Sequence, residues 1–290
     1  MNNDRIQEIL DLMEEARLDY FLISDPQSIA YCTGYYNDPH ERMFVFMISK
    51  HGNHTLFMND LFYLDHDLDV NIVWHKDGQD AIQTIVDEMH FPGRIGIDKN
   101  WASHFLLDLM KKLPDAKYIN ASPCVDLVRM KKDLQEQVLM IESSKINDAV
   151  MEEIIPFIQE GVTEKQLAKK LDELFFNHHS TCYGAIVAFG KNAADPHHEN
   201  DDTLLRKGDC VLIDMGCVYK GYCSDMTRTF FYEGILEEEI KVYEIVKKAN
   251  EAAEAMIKPG VKLSDIDKCA RKVISDEGYG KYFTHRLGHF

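Results

Sequence analysis

Two aspartates in one predicted β-hairpin constrain this chain more than any other feature of its sequence. Apolar, strand-like segments lie on either side of the turn signal Lys220-Gly221. In a hairpin that is symmetric about Tyr219 and Lys220, Asp214 and Asp225 are predicted to lie directly opposite each other, with Cβ atoms about 4.5–5.5 Å apart. Like charges in that arrangement destabilise a sheet, so a positive group is expected between them. Carboxylate oxygens suit one or two divalent cations in that position.

Two solvated aspartates, or one aspartate paired with Arg228, are the alternatives to a metal site. Asp214 follows the apolar run Val211-Leu-Ile213, which is typical of a buried strand and favours the metal.

Two histidine segments could complete such a site. His285 and His289 are four positions apart beside Gly288, and neutral imidazole binds zinc, iron, manganese or cobalt next to carboxylates. Residues 188–198 leave a predicted strand, turn at Gly190 and Pro196, and end in the pair His197-His198. Taken alone, either segment is also compatible with solvated histidines in a polar loop.

Composition narrows the class of protein. The 290 residues carry a net charge of -17, which argues against nucleic acid as a partner because phosphate binding needs a positive surface. No apolar run has the length of a membrane span, and the N-terminal residues do not resemble a signal peptide. The seven cysteines form no C-x-x-C pair, which indicates reduced thiols in a cytoplasm.

Alternating helix and strand patterns predict an α/β domain over residues 1–125. Residues 126–133 carry several basic side chains and little apolar pattern, so they are predicted to link this domain to a second one, residues 134–290. The second domain is predicted to begin with a long helix from about Leu134 to Phe157. Two later helix starts resemble each other, one with a capping box of Thr163 and Gln166 and one capped by Ser264, which suggests a duplicated half.

The hairpin motif Asp-x-Gly-x-x-x-x-Gly-Tyr-x-Ser-Asp-x-Thr-Arg-Thr-Phe resembles a signature of the Xaa-Pro peptidases. These are the prolidase and aminopeptidase P branch of the pita-bread metallopeptidases. The resemblance continues in Asn192–His198, Phe283–His289 and Leu127–Lys131, and Ile29–Tyr35 is similar to part of a creatinase-type N-terminal domain. It therefore spans nearly the whole chain.

The resemblance implies a fold, a site and a reaction. The fold is an α/β creatinase-type N-terminal domain followed by an α+β pita-bread domain. Asp214, Asp225 and His289 are implied to be metal ligands, with Asp225 bridging two ions, and His197 and His285 to be catalytic histidines. The ions are manganese first, with cobalt or zinc as alternatives, and the reaction is hydrolysis of the peptide bond preceding proline.

The same resemblance implies a homodimer, in which the polar stretch Asn37-Asp-Pro-His40 is a candidate loop near the partner's site; an ordinary surface loop is the alternative. In the family a further histidine and two glutamate ligands follow the His289 segment. Because the sequence stops at Phe290, we expect a C-terminally truncated form whose activity is impaired.

Three other functions stay open at this point. A catalytically inactive pita-bread binding module is the main alternative, although such modules usually lose ligand residues. A metal-free creatinase-like hydrolase and a methionine aminopeptidase fit less well, the first because the aspartates are present and the second because it lacks such a first domain. Whether the substrate is a dipeptide or a longer peptide is open as well.

Overall fold

The computed structural model describes residues 1–91 and 93–288 and divides the chain into two units. The first is Met1–Lys131 and the second is Lys132–Phe290. The predicted order of an α/β domain followed by an α+β domain is confirmed.

The predicted linker, residues 126–133, differs from what the structure shows. Residues 126–130 belong to a helix, Ser122–Met130, that packs in the core of the first unit through Val125 and Val128. Pro123 in the first turn and the apolar residues at three-residue spacing stabilise this helix. Of the basic residues that suggested a linker, Arg129 donates to the Ser28 hydroxyl at 3.0 Å, and Lys131 and Lys132 follow the end of the helix.

Within the described part of the first unit, six strands form one mixed sheet in the order β4-β3-β2-β1-β5-β6. β1 and β2 pair antiparallel, as do β2 and β3, whereas β4, β5 and β6 each join a neighbour in parallel. The strands are β1 Tyr20–Ile23, β2 Val45–Ser49, β3 Thr55–Asn59, β4 Asn71–His75, β5 Arg94–Ile97 and β6 Lys117–Asn120.

Helices cover both faces of this sheet, and the central strand β1 is buried throughout. Phe21 and Ile23 pack into the core on one face, while Tyr20 and Leu22 pack into the core on the other, as the two-residue period of a strand requires. The helices are α1 Asn3–Glu15, α2 Pro26–Thr33, α3 Ala81–Glu88, α4 Ser103–Lys112 and α5 Ser122–Met130.

The second unit begins with the predicted long helix, α6, which spans Leu134–Ile154 and continues into a 3₁₀ turn at Ile155–Phe157. α7, Glu164–Asn177, follows with the predicted capping box of Thr163 and Gln166. Both helices pack against the strands through one apolar core. The strands are β7 Thr181–Cys182, β8 Ile186–Phe189, β9 Cys210–Met215, β10 Cys217–Tyr219, β11 Tyr222–Cys223 and β12 Met226–Phe231.

Within the described residues these strands form two three-stranded sheets, β11-β10-β7 and β12-β9-β8. Two further helices, α8 (Glu237–Glu254) and α9 (Leu263–Asp276), pack on each other around a small apolar cluster. The predicted cap Ser264 is wrong: α9 begins after Lys262, whose side chain makes no capping hydrogen bond. In the described part of the chain, no helix is both long and apolar enough to cross a membrane.

Candidate active site

The aspartate hairpin exists, but its register differs from the predicted one. Asp214 lies opposite Thr227, two residues further along than Asp225. The reason lies in the turn, where Lys220 (φ 48°) and Gly221 (φ 83°) both adopt left-handed conformations. That pair of angles is typical of a type I′ turn, which centres the hairpin on Lys220-Gly221. The prediction that Asp214 and Asp225 are directly opposite is therefore wrong.

Thr227 uses its position opposite Asp214 to orient the carboxylate. The Thr227 hydroxyl donates a hydrogen bond to Asp214 Oδ1 at 2.6 Å. Arg228, the alternative partner suggested by the sequence, donates to the carbonyl oxygen of Thr227 at 2.8 Å. Asp214 is half-buried and Asp225 is exposed, so a ligand from solvent can reach this edge of the hairpin.

The hairpin is interrupted next to both aspartates. Gly216 separates β9 from β10, and Ser224 and Asp225 separate β11 from β12. A Cβ atom at Gly216 would overlap the Tyr183 hydroxyl and the carbonyl oxygen of Ser224. The Asp-x-Gly part of the motif thus leaves space for a tyrosine side chain against the backbone.

Tyr183 occupies that space, and its hydroxyl donates to the carbonyl oxygen of Ser224 at 2.6 Å. Partial burial is the largest cause that raises the pKa of Tyr183, to about 12, and the negative charges of Asp225 and Asp214 add to it. Both carboxylates therefore act on one phenol. The Tyr183 hydroxyl lies against Gly216, two residues after Asp214, and binds Ser224, the neighbour of Asp225, although the two aspartates are not a cross-strand pair.

Helix α6 holds the interrupted strands in place through polar side chains that face the sheet. Asn147 Nδ2 donates to the carbonyl oxygen of Met215, and Ser143 Oγ donates to that of Cys217, each at 3.3 Å. Asn147 and Ser143 are buried. These bonds satisfy backbone acceptors on both sides of Gly216 and fix the path of the chain next to Asp214.

A second cluster of ionisable side chains lies in the same unit and was missed by the sequence predictions. Ligand atoms of Glu164, His198 and Asp201 lie within 4.8 Å of one another, a grouping that could hold a metal ion. Glu164 is completely buried at the first position of α7. Its carboxylate accepts four hydrogen bonds, from Phe189 N (2.8 Å), Asn192 Nδ2 (3.0 Å), His198 Nε2 (2.6 Å) and Asp201 N (3.1 Å).

Two of the three histidines predicted as site residues are exposed in the structure, and the third lies outside the described residues. His197 is exposed, and its backbone N–H donates to Asp195 Oδ1 at 3.0 Å. His285 is exposed as well, and its carbonyl oxygen accepts from Arg271 at 3.0 Å. His289 lies outside the described residues. The roles of all three, like those of Asp214 and Asp225, stay predictions.

An α/β unit followed by an α+β unit that carries an Asp-x-Gly hairpin defines a pita-bread metallopeptidase with a creatinase-type N-terminal domain. The chain belongs to metallopeptidase family M24, whose profile matches residues 138–290. The Creatinase/Prolidase N-terminal domain profile matches residues 5–131.

Individual relatives agree with this assignment. An uncharacterized peptidase of Staphylococcus aureus (strain MW2) is 31% identical over 98% of this chain and 82% of its own length. A dipeptidase from Pyrococcus horikoshii OT3 has a TM-score of 0.89 at 34% identity, over 98% of this chain and 81% of that one. A Xaa-Pro dipeptidase from Bacillus anthracis has a TM-score of 0.87 at 27% identity, over 99% of this chain and 81% of that one. The chain is therefore a peptidase of the metallopeptidase class.

Proposed function

We propose that this peptidase hydrolyses the peptide bond preceding proline with the help of two divalent metal ions. The observation that carries the proposal is the hairpin itself, in which Asp214, held by Thr227, and Asp225 flank the interruption at Gly216 where Tyr183 binds Ser224. The chain's membership of family M24 and its similarity to a dipeptidase and a Xaa-Pro dipeptidase support the proposed substrate class.

The donor set at the hairpin fits hard divalent cations. Asp214 and Asp225 supply carboxylate oxygens, which such ions prefer, and His289 is the proposed imidazole ligand. Manganese is the proposed native metal, with cobalt and zinc as alternatives. A bound pair of divalent ions would supply polarisation of the scissile carbonyl and a water of lowered pKa.

The protein's own residues position the reactants. Thr227 holds one oxygen of Asp214, and α6 fixes the strand that carries it. We assign His197 to contact with the substrate or stabilisation of the transition state, and His285 to an accessory role beside the ligands. Both side chains are exposed, so a substrate can reach them.

We also propose that the protein is a homodimer and cytoplasmic. The stretch Asn37–His40 is the proposed loop toward the partner's site. The seven cysteines, all in the described part of the chain, are free thiols, as a reducing compartment favours.

Metal analysis combined with a peptidase assay tests the proposal. The purified chain is loaded with Mn²⁺, its bound metal is measured, and hydrolysis of a Xaa-Pro dipeptide is compared with that of Xaa-Ala. Near two ions per chain with preferential Xaa-Pro cleavage supports the proposal. No bound metal and no cleavage supports the inactive binding module instead.

A further inference from the structure

Glu164 links α7 to three separate points of the segment that carries His197. Its Oε1 binds the end of β8 through Phe189 N and the following 3₁₀ turn through Asn192. Its Oε2 binds the later part of the same segment, through His198 and Asp201. We propose that Glu164 is a positioning residue, which acts through this segment to hold His197 for catalysis. The inference rests on the proposed function in one respect, the placement of His197 in the site.

A buried carboxylate can fulfil this role because all of its acceptor capacity is satisfied. An isolated buried charge would be strongly destabilising, but each oxygen of Glu164 accepts two hydrogen bonds at distances of 2.6–3.1 Å. Glu164 also lies in the first turn of α7, where the helix dipole favours negative charge. The four donors and the helix N-terminus therefore accommodate a carboxylate inside the unit and connect it to the loop.

The hydrogen bonds of the cluster argue against the alternative that these residues bind a metal. The oxygens of Glu164 already face four N–H donors, which a cation would have to displace. Asp201 has a competing contact too, since its Oδ1 accepts from Thr203 N at 2.7 Å. Hydrogen bonds from Thr203 are the largest cause that lowers the pKa of Asp201. The cluster is better described as a closed hydrogen-bond network than as an open ligand set.

His197 lies between the fixed points of this network. His198 N donates to the carbonyl oxygen of Asp195 at 3.2 Å, which closes a turn, and His198 Nε2 anchors that turn to Glu164. The side chain of His198 is 12% exposed, whereas His197 is exposed in the same turn. One histidine thus anchors the backbone so that its neighbour presents an imidazole to solvent in a defined place.

Glu164→Gln is the test variant because it keeps the shape of the side chain and removes its charge. The new amide nitrogen would face the N–H donors of His198 or Asp201, so one anchor is lost. Amide hydrogen exchange of residues 189–203 is expected to accelerate about tenfold, the equivalent of one hydrogen bond. Glu173→Gln on the exposed side of the same helix is the matched control and leaves exchange unchanged. Unchanged exchange in Glu164→Gln would overturn the inference.

Kinetics separate positioning from general destabilisation. Glu164→Gln is expected to lower kcat about tenfold with KM nearly unchanged, because the substrate still binds but meets a displaced imidazole. In a His197→Ala background, Glu164→Gln should lower kcat no further, since the residue that Glu164 positions is gone. If Glu164→Gln lowered kcat by the same factor in the parent and in His197→Ala, a role through His197 would be contradicted.

Two further outcomes keep this inference distinct from the proposed function. If the parent protein shows no Xaa-Pro cleavage, the proposed function fails, and hydrogen exchange alone then decides whether Glu164 holds the loop. Loss of a bound Mn²⁺ ion in Glu164→Gln, with exchange of residues 189–203 unchanged, would identify the cluster as a metal site and overturn the inference.

Discussion

Two groups of carboxylates in the second unit have opposite surroundings. Glu164 is buried, and both of its oxygens are occupied by N–H donors. Asp214 is half-buried and accepts a hydrogen bond from the hydroxyl of Thr227, and Asp225 is exposed. A buried carboxylate saturated with donors stabilises the fold, whereas a carboxylate that solvent reaches is accessible to a cation. Proximity to other acidic or histidine side chains does not by itself distinguish the two.

The largest expected effect is on the hairpin side of this comparison. Asp225→Asn removes the proposed bridging charge and is expected to abolish two-metal occupancy. Activity on a Xaa-Pro dipeptide should fall by about a thousandfold, equivalent to about 4 kcal/mol. Metal analysis and the peptidase assay measure both, with Asp276→Asn on the surface of α9 as control. Full activity of Asp225→Asn with Mn²⁺ would refute the metal assignment.

The corresponding change in the buried network should affect folding. Glu164→Ala leaves four donors without their acceptor, and we expect the free energy of unfolding to fall by about 3 kcal/mol, since water can reach part of the loop. Urea unfolding followed by circular dichroism measures it. Glu173→Ala, exposed on the same helix, should stay within about 0.5 kcal/mol of the parent. A loss as small as the control's would remove the distinction between the two groups.

Gly216 tests how closely the hairpin site is packed. Gly216→Ala places a Cβ atom against the Tyr183 hydroxyl and the Ser224 backbone, so we expect a loss of about 2 kcal/mol in unfolding free energy. Gly234→Ala is the control, because its Cβ would make only an ordinary contact with Gly208. Thermal unfolding compares the two variants, and equal stabilities would mean that Tyr183 does not lie against Gly216 in solution.

Tyr183→Phe should have the smallest effect, about 1 kcal/mol at pH 7, from the lost bond to Ser224. The pKa of Tyr183 is raised from 10.0 to about 12, so its neutral form is the one that the fold favours. The stability it contributes is present below pH 10 and is lost as pH rises through about 12. The difference between parent and variant in unfolding free energy should therefore shrink over that range. A difference that grows with pH would show that the phenol is not held by the carbonyl.

Much of this architecture follows from sequence patterns alone. The alternation of elements in the first unit, the long helix α6, the capping box at Thr163 and the aspartate hairpin were all predicted correctly as elements. These features depend on residues close in sequence, where periodicity, capping and turn chemistry are decisive. The family resemblance is confirmed by both domain matches.

The sequence predictions differ from the structure where residues distant in sequence or unusual backbone angles determine the local structure. The register of the aspartate hairpin depends on the left-handed conformation of Lys220, which a lysine does not predict. Glu164 binds groups that lie 25 to 37 positions away, and the local capping pattern beside it does not predict these hydrogen bonds. The helix over 126–130 did carry a signal, the apolar spacing of Val125 and Val128, which the basic residues obscured.

The position of Tyr183 gives the proposed metal centre an optical antenna. Terbium has the oxygen preference of the hard divalent ions and emits green light when a nearby excited tyrosine transfers energy to it. The Tyr183 phenol, which binds Ser224 next to Asp225 and lies against Gly216, is close enough to serve as the donor. Occupancy of the hairpin could therefore be followed by luminescence in the unlabelled protein, without a substrate, and Tyr183→Phe would dim the signal.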